Sequence, residues 1–139
     1  MTRSLGLDHG DARIGVAISD ELGMLAHPHS TIHVAEGDPI PKIVELVAKE
    51  KIAMIVLGMP RNMDGTYGPA AEKVRAFAEK LRAATPCPLK LWDERMTTKA
   101  AQRGLHEAGK NTKQSRGMID KAAAVLILQG WLDAQAMLG

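Results

Sequence analysis

Three acidic residues stand where an α/β chain gathers chemistry. Asp8 closes an alternating run, Ser4 to Asp8, in which Leu5 and Leu7 share a face. Glu94 lies just past Leu89–Trp92, a short strand signal behind Pro86 and Pro88. Asp120 opens a final helical pattern, with Ala123, Ala124, Ile127 and Trp131 at +3, +4, +7 and +11, so it shares the face that pattern buries. The alanines let such a helix lie close to a sheet, where a short aspartate can reach Asp8. Carboxylates brought together repel, and a proton or a cation must neutralise them. An oxygen-only donor set suits a hard ion such as Mg²⁺ or Mn²⁺. Zinc has no comparable set: Cys87 is the one cysteine, and His27 and His29 on one strand face lack a third ligand. Each carboxylate taken singly has an ordinary alternative. Asp8 can serve a turn, Asp120 a helix dipole, and Glu94 an ion pair with Arg95.

The cations are unevenly spread. Residues 95–121 hold seven Lys and Arg against Glu107 and Asp120, a net of +5 in a chain whose total is +2. Such a segment is a candidate phosphate footprint, with a solvated helix and loop as the plainer reading. Arg13 and Arg95 stand beside the carboxylates in sequence and are candidates to contact phosphate or to pair with a neighbouring acid. Lys110, Lys113 and Arg116 fall in Gly109–Gly117, a polar basic stretch expected to be a loop that leads to Asp120. Four aromatic residues, Tyr67, Phe77, Trp92 and Trp131, are too few for a sheet of stacking rings of the RRM or OB type.

The elements that must position these groups follow from periodicity. Leu5–Asp8 and Arg13–Ser19 alternate and predict a hairpin around His9–Ala12. A third strand is expected within 24–34, with Pro28 marking an edge or a bulge. Asp38 and Pro39 cap a helix striped by Ile40, Ile43, Val44 and Val47. Ile52–Gly58 is a continuous apolar run, the signature of a strand buried on both faces. Gly68-Pro69 opens a helix striped by Val74, Phe77, Ala78 and Leu81, and Leu89–Trp92 is the next strand. Thr97 or Thr98 caps a helix to about Glu107, and the last helix is expected from about Met118 to Met137. The order β-β-β-α-β-α-β-α-α predicts an antiparallel meander continued by parallel strands, with helices packed on the sheet. At 139 residues the chain is expected to be one domain, 1–139. The absence of a signal-like start or a long apolar run predicts a cytoplasmic protein with no membrane span.

Four motifs add a resemblance. Leu5–Ala17, with Asp8-His9-Gly10-Asp11-Ala12-Arg13 at its centre, resembles the opening of the YqgF/RuvX family of Holliday-junction-resolvase-like proteins and pre-16S rRNA nucleases. Gly58–Gly65 is similar to that family's second motif, Asp93–Thr98 to its third and Asp120–Ala124 to its fourth. The family's second motif usually has an apolar residue after the proline, where this chain has Arg61. Order and separation fit over essentially the whole chain. The resemblance implies an RNase H-like mixed five-stranded sheet with helices on both faces. It implies divalent-metal nuclease chemistry at the 5′ end of 16S rRNA, and catalytic, metal-binding carboxylates at Asp8, Glu94 and Asp120. Two ions about 4 Å apart, Mg²⁺ or Mn²⁺, suit phosphodiester hydrolysis, because they generate the attacking hydroxide and stabilise the leaving oxygen. Asp11 and Asp93 are candidates for a fourth ligand, and strand alternation turns Asp93 away from the face Glu94 occupies.

The expected partners are RNA, as pre-rRNA, with DNA or branched junctions as further substrates. A monomer suffices for end trimming, and a homodimer is needed for symmetric junction cutting. Two other functions compete. A nucleic-acid-binding or rRNA assembly factor would need no carboxylate cluster. A phosphotransferase of the actin and sugar-kinase type also uses an Asp-x-Gly-x-x-Arg turn, but it needs a second lobe that 139 residues leave no room for.

Overall fold

The computed structural model describes residues 3–60, 66–93 and 112–138, and within the last segment the side chains of 121–137. Strands β1 (Arg3–His9), β2 (Arg13–Ser19) and β3 (Ala26–His33) form the expected antiparallel meander. A short 3₁₀ turn, Val34–Glu36, leads to α1 (Pro39–Lys49), followed by β4 (Ile52–Met59), α2 (Pro69–Ala84), β5 (Leu89–Asp93) and α3 (Thr112–Leu138). The sheet order is β3-β2-β1-β4-β5, with β1, β4 and β5 parallel. Among the described residues no helix is long and apolar enough to cross a membrane.

Period-2 alternation sorts each strand onto two faces. One face carries Leu5, Leu7, Ile14, Val16, Ile55, Leu57 and Met59, buried under Ile43 and Val47 of α1 and Val74, Phe77, Ala78 and Leu81 of α2. The opposite face is made of smaller residues on β1 and β2. Ala17 and Val56 pack there against Ala124, Ile127, Leu128 and Leu132 of α3. The small residues bring α3 very close. A Cβ built on Gly6 would lie 2.7 Å from Leu128 Cβ and 2.9 Å from the carbonyl oxygen of Ala124. Glycine is therefore required at position 6 by the approach of a helix backbone.

Local signals account for the element ends. Asp38 Oδ1 accepts the Ile40 N–H at 3.0 Å, with Pro39 in the first turn of α1. Pro28 sits on the edge strand, and the β2–β3 register skips a residue at His29, so edge and bulge coincide. Gly10 donates its N–H to the Arg13 carbonyl at 2.9 Å and closes the first hairpin.

One expectation is corrected. Residues 112–117 are not loop: α3 begins at Thr112, so Lys113 and Arg116 belong to its first turns. Lys, Gln and Arg are good helix formers, and no proline interrupts the chain between Thr112 and Leu138. This stretch has no apolar stripe, so periodicity alone starts the helix too late. The expected helix between Thr97 and Glu107 lies outside the described residues.

Candidate active site

Asp8 is the penultimate residue of β1 and is half-buried. It shares its face with Gly6, the face α3 covers. Its partner on β2 is Gly15. On the other side, β4 runs in register with Leu7 opposite Leu57, so the residue beside Asp8 is Gly58, which in turn pairs with Trp92 of β5. The cross-sheet row thus reads Thr31, Gly15, Asp8, Gly58, Trp92. The carboxylate stands between two residues that have no side chain, a floor that leaves room for a bulky ligand above the sheet. Among the described residues the outer members of the row carry buried polar atoms without a hydrogen-bond partner, Thr31 Oγ1 and Trp92 Nε1, as does Trp131 of α3 at Nε1. Buried groups of this kind mark places that ordered water serves.

Arg13 lies on the same face, two residues along β2 from Gly15, and so diagonal to Asp8. The neighbouring turn is held from the other face. His9 packs on Phe77 of α2 in a tilted ring contact, 4.6 Å between centroids. Asp11 accepts from Lys73 Nζ at 2.9 Å. Burial lowers the His9 pKa below its ordinary 6.5; Asp11 opposes that shift and Lys73 adds to it. The Lys73 hydrogen bond and charge hold the Asp11 carboxyl below the usual carboxylate range. Asp11 thus faces α2, away from the face Asp8 occupies. On β5, Leu89 and Leu91 pack with α1 and α2 while Trp92 packs with α3. Alternation then puts Asp93 on the α1–α2 face.

Asp120 belongs to α3, one turn before Ala124, the residue whose carbonyl approaches Gly6. Positions 113, 116 and 120 recur on the same side of the helix as 124. Glu94, Arg95 and Lys110 lie outside the described residues, as does the segment 61–65. Among the described residues no group of three His, Cys, Asp or Glu side chains is assembled. His29 Nδ1 is 2.9 Å from Ser30 Oγ, a local contact on the edge strand. The hard oxygen donor of Asp8 and its glycine floor fit an oxygen-liking divalent cation. Periodicity does not single out Gly15 and Gly58, whose role appears only once β1 is registered against both neighbours. Nor does it reveal the Lys73–Asp11 and His9–Phe77 contacts, which join residues more than sixty apart in the chain.

Residues 2–134 match the family described as "RuvX: Holliday junction resolvase". Relatives named "Putative pre-16S rRNA nuclease" include one from Halothermothrix orenii, 47% identical over 134 residues and covering 96% of both chains. Another, from Halalkalibacterium halodurans, is 44% identical over 138 residues, covering 97% of this chain and 99% of its own. Among solved structures, Thermus thermophilus RuvC in complex with a Holliday junction substrate superposes with a TM-score of 0.62. It is 12% identical and covers 97% of each chain, a likeness of fold.

Proposed function

The chain belongs to the RuvX Holliday junction resolvase family, and from that premise we propose that it is a divalent-metal-dependent nuclease acting on the 5′ end of pre-16S rRNA. The names its relatives carry support this substrate. In this reading residues 1–139 act as one RNase H-like domain in the cytoplasm, and DNA or branched junctions are secondary substrates. A monomer suffices for trimming an end.

The observation that carries the reading is the position of Asp8 relative to α3. Helix and strand run antiparallel: Gln129, late in α3, accepts from the Ala26 N–H at 2.8 Å, at the end of the sheet where Ala26 pairs with Ser19 and Ser19 Oγ accepts from the Ser4 N–H. From Gly6 to Asp8 the strand advances about 6.6 Å. From Ala124 back to Asp120 the helix retreats about 6 Å. Starting from the contacts of Gly6 with Ala124 and Leu128, both steps lead toward the same end of the sheet. Glu94 follows Trp92 by two residues and shares its parity.

Asp8, Glu94 and Asp120 would hold Mg²⁺ or Mn²⁺, two ions in this reading, which supply charge neutralisation and an activated water. The chain's own residues do the rest. The glycine floor at Gly15 and Gly58 admits the phosphate beside Asp8. Arg13 offers a fork of donors to a phosphate oxygen. Lys113 and Arg116, on the Asp120 side of α3, track the flanking backbone together with Lys110 and Arg95. The test is cleavage of labelled single-stranded RNA, single-stranded DNA and a four-way junction with Mg²⁺ or Mn²⁺, by the native chain and by Asp8→Asn. Metal-dependent cleavage of RNA that Asp8→Asn abolishes is the expected result. Tight binding without cleavage would favour an assembly factor instead.

A further inference from the structure

We propose that Tyr67 is a stacking platform for one unpaired nucleobase flanking the scissile phosphate, a proposal that rests on the nuclease reading above. Tyr67 is 43% exposed, whereas Phe77 is buried and Trp92 and Trp131 are partly buried where α3 packs on the sheet. A large ring held partly in water at a nucleic-acid-binding end of a protein has apolar area to gain from a base.

The ring is also held in place. The Arg75 guanidinium lies 4.7 Å from its centroid, a cation–π contact. That guanidinium is itself fixed by Glu72 Oε1, which accepts from Arg75 Nη1 at 2.7 Å. A ring so braced loses little freedom when a base stacks on it.

Its place relative to Asp8 follows from α2. Tyr67 lies on the connection that leaves the carboxyl end of β4, the end where Asp8 stands, and it immediately precedes Gly68 and Pro69 at the start of α2. Phe77 packs on His9, the residue after Asp8, and Lys73, one turn earlier, binds Asp11. From Phe77 back to Pro69 the helix extends about 12 Å. Two cross-links therefore tie the Tyr67 end of α2 to the hairpin that carries Asp8. Tyr67 thus stands at the same end of the sheet as Asp8, in the layer of α2 rather than that of α3. A single ring there reads an unpaired base by its π-face, whichever base it is, and has no comparable contact with a continuous duplex.

The experiment uses the full chain in an Asp8→Asn background, so that binding is read without cleavage. Affinity for a single-stranded RNA oligonucleotide is measured with Tyr67, Tyr67→Phe and Tyr67→Ala. The oligonucleotide is also scanned with one abasic position at a time. Tyr67→Ala is expected to weaken binding by about five- to 150-fold, and Tyr67→Phe to restore it. The slope of log K against log salt should stay the same, since a neutral ring displaces no counterion from phosphate. One abasic position should weaken the Tyr67 protein by a similar factor and leave Tyr67→Ala unaffected. Undiminished binding by Tyr67→Ala, a Phe variant as weak as Ala, or abasic losses equal in both proteins would each overturn the platform while leaving the nuclease reading intact. Failure of every variant to bind RNA would overturn both.

Discussion

Gly6→Ala probes the close approach of α3 to the sheet. The added methyl carbon would stand 2.7 Å from Leu128 Cβ and 2.9 Å from the Ala124 carbonyl oxygen. Carbon atoms pack at about 3.5–4.0 Å, so the helix must yield by about 1 Å. Neither neighbour can swing aside, because one is a Cβ and the other a backbone oxygen. The whole of α3 must move, and Ala124 and Leu128, both fully buried, move with it. Overpacking of this kind costs about 1–3 kcal/mol. For a chain of this size that lowers Tm by about 3–12 °C. In the proposed site, where Asp120 joins Asp8, the same shift would draw the two apart, and an error of about 1 Å at a reacting centre costs about 100-fold in rate. Gly130→Ala is the graded control. Its Cβ would meet the Trp92 ring at 3.1 Å, a side chain that can turn, so the loss should be smaller. Thermal unfolding by circular dichroism and cleavage rates measured well below Tm give both readouts. A Gly6→Ala protein that melts within about 1 °C of the native chain refutes the packing argument. One that melts early but cleaves normally refutes the link between α3 spacing and catalysis.

Other outcomes follow from the same geometry. Burial holds the His9 pKa down, so on acidification the unfolded chain takes up the proton before the folded one. Stability is complete above about 6.5 and is lost as pH falls toward the lowered folded value; His9→Gln should flatten urea midpoints between about pH 7.5 and 5, and equal slopes would count against it. Lys113→Ala with Arg116→Ala should preserve the helix, weaken nucleic-acid binding for all sequences, and reduce the salt slope by about 0.7–0.9 for each phosphate the chain no longer neutralises. An unchanged slope removes the first turns of α3 from the binding surface. Asp38→Ala removes the α1 cap and should cost about 1 kcal/mol in chemical denaturation, with cleavage unaffected.

Much of the fold was legible because the local signals agree with one another. Leu5 and Leu7 against Ile14, Val16 and Ile18 indicated the hairpin and its buried face, and Pro28 marked the edge and its bulge together. The unbroken Ile52–Gly58 run was a strand, covered on both faces from Ile55 onward by α1 and α2 on one side and α3 on the other. The beginning of α3 was not legible, because Thr112–Gly117 is polar and offers no stripe. The alanines at 123 and 124 did signal close approach, and the contact of Ala124 with Gly6 is its realisation. Of the candidate site, the strand-end position of Asp8 and the opposite facing of Asp93 follow from alternation alone. Gly15 and Gly58 acquire meaning only through pairing, and Gly58 is fifty residues from Asp8. The Lys73–Asp11 and His9–Phe77 contacts depend on how α2 lies over the sheet, which no local pattern specifies.

The proposed chemistry stands or falls on whether Asp8, Glu94 and Asp120 share divalent cations. A Mn²⁺ titration followed by electron paramagnetic resonance of the free ion reads this without any substrate, on the native chain and on Asp8→Asn, Glu94→Gln and Asp120→Asn separately. Each substitution keeps the side chain's size and removes one negative charge. Saturable binding is expected of the native chain, weakened at least about tenfold in each variant, with Tm in the absence of metal unchanged or raised because repulsion is relieved. Native-like Mn²⁺ affinity in all three variants would contradict a shared carboxylate site.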